Sequence, residues 1–295
     1  MTTLVTNADA ARLAKLLVEQ TDRSSAPTNL HDRVAQLAFA IGYGQTPNES
    51  QELVEPLLPE IQAVTVRLRN EAEQEGTTWH IELFGSEGEW IRGSSFEDLS
   101  LDLVDRGIRA RRAHDADVLS EIVNLTPAEF ERACTTVLKR LGCSEPHTSS
   151  FRNDGGIDFY GSLALKGRLD SPLPLGGIDS RVKVWLIGQA KHYPTSAIEP
   201  AVIRELVGSV ELARTRGAIH AWPGLSMQPF DATLMLVFTT GWFSTGSKAL
   251  LTQSGMIAMN GMQLAAFLCD VGVGFAGEPP TFDPSKFKDE LLGPS

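Results

Sequence analysis

Two short apolar runs constrain this chain most: VKVWLIG at 182–188 and LMLVFT at 234–239. Each is too short for an ordinary helix and is nearly continuous in Val, Ile, Leu, Phe and Trp, the pattern of a strand buried on both faces. Between them, 199–216 places Val202, Ile203, Leu206, Val207 and Val210 on one side of a helix. Strands of this kind alternating with amphipathic helices predict an α/β fold.

The surrounding sequence extends that pattern. LTPAEFERACTTVLKRLG at 125–142 offers Thr126 as a cap, Pro127 at the first helical position and Gly142 as a stop, with Phe130, Ala133, Cys134, Val137, Leu138 and Leu141 forming one stripe. Strands are expected over 143–150 and 157–165, and 166–180, rich in Gly, Pro and Leu, reads as an inserted loop. Beyond Thr239 come a turn and helix, a short strand at 256–259 and a last helix over 261–270. The order is helix, three strands, helix, strand, helix, strand, helix, which predicts a mixed central sheet flanked by helices over 121–275. Residues 276–295, with Pro279, Pro280 and Pro284, read as a loosely ordered tail.

Residues 1–120 differ in character. Helical patterns cover 8–20, 30–41 and 53–73, with Asn29 and Asn48 as caps. Residues 77–92 alternate around a GSEGE turn and read as a β-hairpin carrying Trp79 and Trp90, which are expected to pack rather than stack on bases. A helix over 96–112 ends in Arg106, Arg109, Arg111 and Arg112, read first as a solvated face and second as a way to steer a polyanion. The boundary is placed at 119–126.

Charge follows the same division. The net charge is −11, but residues 1–120 hold 11 Lys and Arg against 20 Asp and Glu, while 121–295 hold 15 against 17. A nearly neutral second segment can bind a polyanion if its cations cluster locally. Three cysteines, odd in number and without CxxC or Cys/His spacing, argue against disulfides and zinc and read as buried thiols. The lack of an apolar run of membrane length or of a leader-like start predicts a cytoplasmic protein with no membrane partner.

Chemistry concentrates in DGGID at 154–158 and GQAK at 188–191. Asp158 closes a glycine turn that opens one strand. Gln189 and Lys191, two apart at the end of the next, share a face. An acid, a neutral oxygen donor and an amine converging at strand ends suit a hard divalent cation acting on a phosphodiester. Asp158 is the leading metal ligand, with the Gln189 amide and Ala190 carbonyl supplying further oxygens. Asp154 is a supporting residue of the turn.

LTPAEFERACTTVLKRLG, DGGID, GQAKHY, IRELVG, LVFTTGWFS and IAMNGMQLA, in this order over about 122–273, resemble the Mrr-like restriction endonucleases, a branch of the PD-(D/E)xK nuclease superfamily. The resemblance implies a restriction-endonuclease-like core and a Mg²⁺-dependent endodeoxyribonuclease, with Mn²⁺ as a substitute. In this branch the acid before the lysine is commonly glutamine, so QAK matches its variant. The implied catalytic set is Asp158, Gln189, Lys191 and Glu131, the last from the FE pair on the opening helix. Glu129, about 200° around that helix, faces elsewhere. Arg204, His192 and Tyr193 are the DNA-contact candidates, DNA is the implied partner, and defence against foreign or modified DNA is the implied setting. A homodimer and a regulatory partner or ligand at the amino-terminal domain are further expectations. The alternative is a catalytically silent DNA-binding or sensor protein built on the same fold.

Overall fold

The computed structural model describes residues 6–149, 156–165, 182–215, 222 and 224–293. The chain forms two compact units, Met1–Ala113 and His114–Ser295.

The first unit is mainly helical. Helix α1 (Asn7–Glu19) buries Ala10, Leu13, Ala14 and Leu17, the helical spacing of one face, and starts in a capping box between Thr6 and Asp9. Strand β1 (Thr28–Asn29) leads into α2 (Leu30–Ala40), whose cap is Asn29 accepting from the Asp32 amide at 3.3 Å. The single helix expected over 53–73 is instead α3 (Pro47–Val54), a 3₁₀ turn (Glu55–Leu57) and α4 (Leu58–Glu75). Pro56 and Pro59 explain the breaks, because a proline lacks the amide hydrogen a helix interior requires and is tolerated only in a first turn. Thr46, not Asn48, caps α3.

The hairpin forms from β2 (Ile81–Phe84) and β3 (Trp90–Gly93), antiparallel with Phe84 opposite Trp90, and β1 adds a third strand on the other side of β3. Trp79 packs on the unit's core, and the half-exposed Trp90 lies 6.4 Å from the Phe84 ring. Helix α5 (Leu103–Arg112) begins at its Asp102 cap, so 96–102 is not helical. Its arginines are largely committed within the unit. Arg109 bonds Glu82 and the Ser94 carbonyl, and Arg106 pairs with Glu97 at 2.8 Å. The buried Arg92 joins Glu82 at 2.9 Å and also pairs with Asp98, its guanidinium 4.2 Å over the Phe84 ring.

The second unit begins with α6 (Asp115–Val123), whose Val118 and Ile122 are buried in that unit's core. Helix α7 (Pro127–Arg140) follows, with the capping box between Thr126 and Glu129. Then come β4 (Ser144–Thr148), β5 (Phe159–Ala164), β6 (Lys183–Lys191), β7 (Ala197–Ile198), α8 (Pro200–Arg214), β8 (Ala232–Thr239), β9 (Trp242–Phe243), α9 (Thr245–Ser254), β10 (Ile257–Met259) and α10 (Gly261–Asp270). The sheet order is β10-β8-β6-β5-β4. Strands β10, β8 and β6 run parallel, and β5 is antiparallel to both β6 and β4. This is the mixed sheet expected, with β6 at its centre.

Each sheet face has its own core. Val184, Leu186 and Ala190 of β6 lie with Phe130, Val137 and Leu138 of α7 and Leu264 and Leu268 of α10. Trp185 and Ile187 lie with Ile203, Leu206 and Val210 of α8. The strict alternation of β6 across both cores fixes which face each later residue takes. Gly188 is required at its position: Phe159 is its partner across the β5–β6 pair, and a Cβ on Gly188 would fall 2.1 Å from that ring. The ring in turn stacks on Phe238 at 5.1 Å.

The loose tail expected over 276–295 is corrected. Residues 275–276 and 281–282 pair as β11 (Phe275–Ala276) and β12 (Thr281–Phe282), and α11 (Pro284–Leu292) buries Phe287 and Leu291 in the core shared with α7. The prolines mark turns here: Asp283 caps α11, Pro284 takes its first position, and apolar burial outweighs the cost of ordering the segment.

Candidate active site

The end of β6 gathers the polar groups. Gln189 and Lys191 follow Trp185 and Ile187 in register, so their side chains lie on the α8 face. Gln189 is fully buried. Its amide is satisfied when the nitrogen donates to the Val202 carbonyl of α8 at 3.0 Å and the oxygen accepts from Lys191 Nζ at 3.0 Å. A glutamate here would set a carboxylate oxygen against that carbonyl with no hydrogen between them, so α8 itself selects an amide.

Asp158, nearly buried, stands at the edge of β6. Its Oδ2 accepts from the Ala190 amide at 2.7 Å, and its own amide donates to the Gly188 carbonyl at 3.0 Å. In an extended strand the N–H and C=O of one residue face the same edge, so the Ala190 carbonyl emerges on the edge that Asp158 occupies. Gly156, at φ +92°, brings the chain into this turn. A Cβ there would lie 2.9 Å from Glu205 Cγ and 3.1 Å from the Gln189 amide. Asp154 lies outside the described residues.

The two glutamates of α7 separate as the helix geometry requires. Glu129 Oε2 accepts from the Thr126 amide at 2.8 Å and the Thr126 hydroxyl at 2.7 Å, and these bonds hold its carboxyl below the usual range. Glu131 is half-buried, one turn before the fully buried Cys134. The Cys134 thiol is pushed well up, first by burial and then by the charges of Asp158 and Glu131.

The candidates for contacting DNA divide. His192 turns inward: its Nε2 is 3.2 Å from the Val123 carbonyl, and its ring meets Phe130 edge-on at 5.8 Å. Tyr193 is 42% exposed, and Arg204 is exposed with no ion pair among the described residues, to Glu199 or Glu205 in particular. Thr239 and Gly241 form a close turn, with the Gly241 amide donating to Thr239 Oγ1 at 3.1 Å.

The donor set suits a hard divalent ion. Mg²⁺ takes one or two carboxylates and completes its shell with neutral oxygens and water. Asp158 and the Ala190 carbonyl edge supply one of each. Among the described residues no cluster of three or more His, Cys, Asp or Glu is placed to hold a metal.

Glu205 carries no signal of a site in the sequence. Its proximity to Gly156 arises where α8 crosses the glycine turn, 49 positions earlier in the chain, and no local spacing signals that.

Five strands in mixed order, helices on both faces and polar side chains at the end of the central strand define a restriction-endonuclease-like domain. Residues 122–268 match the family model of the Mrr catalytic domain, described as restriction endonuclease, and this stretch of the chain belongs to that family. Among solved structures, the chain is similar to the DNA modification-dependent restriction endonuclease AspBHI, at 17% identity and a TM-score of 0.39 over 61% of this chain and 39% of that one. It is also similar to the MspJI restriction endonuclease in complex with a 27-mer oligonucleotide, at 18% identity and a TM-score of 0.35 over 59% of this chain and 35% of that one. It thus spans well under half the length of either protein. No curated protein matches it. No helix among the described residues is long and apolar enough to cross a membrane.

Proposed function

We propose that this protein is a Mg²⁺-dependent DNA endonuclease of the restriction type, acting in defence against foreign or modified DNA, with Mn²⁺ able to replace Mg²⁺. The observation that carries this reading is the strand-end arrangement, in which Asp158 is fixed by the Ala190 amide and Lys191 by the Gln189 amide oxygen, side by side at the centre of the sheet.

A divalent cation, when bound, supplies Lewis-acid polarisation of the phosphate and a more acidic water. Asp158, with the Ala190 carbonyl, holds that ion. Lys191 places its ammonium where charge grows on the phosphate, and the Gln189 amide keeps it aimed. Glu131 adds a carboxylate from the α7 side, able to orient water. Arg204 and Tyr193, both exposed, contact the DNA strand; the inward-facing His192 instead braces the segment after β6. The product carries a 5′-phosphate. The first unit selects the target or receives a regulatory partner, the protein works in the cytoplasm, and pairs of chains cut opposite strands.

Purified protein is expected to nick supercoiled plasmid with Mg²⁺ or Mn²⁺ but not after chelation, and Asp158→Ala or Lys191→Ala is expected to abolish nicking. Cleavage that survives both substitutions would overturn the assignment. Removing residues 1–113, which leaves α6 in its core, is expected to change which DNA is cut while sparing the metal requirement.

A further inference from the structure

The site carries one more carboxylate than the motif supplies. Glu205 lies one turn of α8 beyond Val202, whose carbonyl binds the Gln189 amide. Its Cγ and Cδ fall 2.9 and 3.2 Å from the point where a Cβ of Gly156 would stand, and the Gln189 amide lies 3.1 Å from that same point. A side chain at 156 would collide with both. The glycine therefore lets α8 bring the Glu205 side chain into close contact with the Asp158 turn and the Gln189 amide.

Charge gives that close approach its meaning. Asp158 supplies a carboxylate at the end of β6, whereas Gln189 is neutral because the Val202 carbonyl excludes a carboxylate at its place. A dication held there needs another anionic oxygen. Glu205 is exposed, and its side chain makes no hydrogen bond or ion pair among the described residues, although Arg204 is its neighbour in sequence. A carboxylate with no cationic partner among the described residues, held against the Gly156 turn beside the Gln189 amide, is placed to receive a cation from solution.

We propose that Glu205 is a second carboxylate ligand of the divalent cation, entering from α8 in the position that a neutral Gln189 leaves without charge. The proposal rests on the metal-dependent reading given above. It makes the site one of a carboxylate from the glycine turn and a carboxylate from the helix, joined across the missing side chain of Gly156.

The test is Mn²⁺ binding to the full chain without DNA, followed by electron paramagnetic resonance, for the wild type, Glu205→Gln, Glu205→Asp and Asp158→Asn, with circular dichroism to confirm folding. Glu205→Gln is expected to weaken Mn²⁺ binding by about 10- to 100-fold, a range already reached by losses in the second coordination shell. Glu205→Asp keeps the charge but withdraws the oxygen, and an intermediate loss is expected. Mn²⁺ binding by Glu205→Gln equal to the wild type, with binding lost in Asp158→Asn, would overturn the proposal and leave the nuclease reading standing. Glu205-dependent Mn²⁺ binding in a protein that never cuts DNA would do the reverse. A wild type that binds no Mn²⁺ at millimolar concentration would overturn both.

Discussion

The two units hold their charged side chains in opposite ways. In the first, Arg92 meets Glu82 and Asp98, Arg109 meets Glu82, and Arg106 meets Glu97, so cations and anions cancel inside the unit. In the second unit, Asp158 accepts from a backbone amide and Lys191 donates to a side-chain amide at the end of β6, while Glu129 accepts from a threonine at the start of α7. A neutral partner fixes a charged group without cancelling it, so its field stays available to an ion or a phosphate. Opposite charges fix each other and leave little field behind. The same residue types therefore serve architecture in one unit and chemistry in the other.

The largest expected effect tests the second half of this contrast. Asp158→Asn keeps an oxygen for the Ala190 amide but loses the charge, so plasmid cleavage should fall by about 10³-fold while the thermal midpoint barely moves. A large drop in stability would make Asp158 architectural and erase the contrast. Next, Arg92→Met should destabilise the first unit by about 3 kcal/mol, since it leaves Glu82 and Asp98 short of a buried partner. Differential scanning calorimetry should show that unit's transition shifting alone.

The same network gives a pH dependence. Burial pushes the Glu82 carboxyl up, but bonds from Arg92 and Arg109 outweigh it and hold the group below its ordinary 4.5. Its contribution is therefore fully present above pH 4.5 and lost as pH falls through the lower folded value. Urea midpoints of the first unit should fall over that range, and more shallowly in Arg92→Met. Thr126→Ala, which removes the neutral partner of Glu129, should cost the second unit about 1 kcal/mol in urea unfolding. The exposed Arg69–Glu73 pair on α4 is a different case, and Arg69→Ala should change stability by no more than about 0.5 kcal/mol.

Much of the second unit was legible because its signals are local. Thr126, Pro127 and Glu129 mark a helix start within four residues, and the two-residue spacing of Gln189 and Lys191 fixes a shared face whatever packs against it. What was missed depends on distant partners. Arg109 reads as a solvated charge until Glu82, 27 residues earlier, is placed beside it. His192 reads as a surface group until Phe130 and Val123 approach. Glu205 is an ordinary helix glutamate in sequence, and only the crossing of α8 over the Gly156 turn gives it neighbours. The prolines after residue 275 signal loose order in the sequence, but in the fold they delimit a helix that inserts Phe287 and Leu291 into the core.

Gly188 carries a final consequence. Because the Phe159 ring rests where a side chain at 188 would be, β5 can engage β6 at one setting only. A slip of two residues, which would preserve the inside and outside of the sheet, brings the ring onto Leu186 or Ala190 and is refused by contact alone. The glycine thus works as an index notch: an absent atom calibrates the strand, and through it the alignment of Asp158 with Gln189 and Lys191.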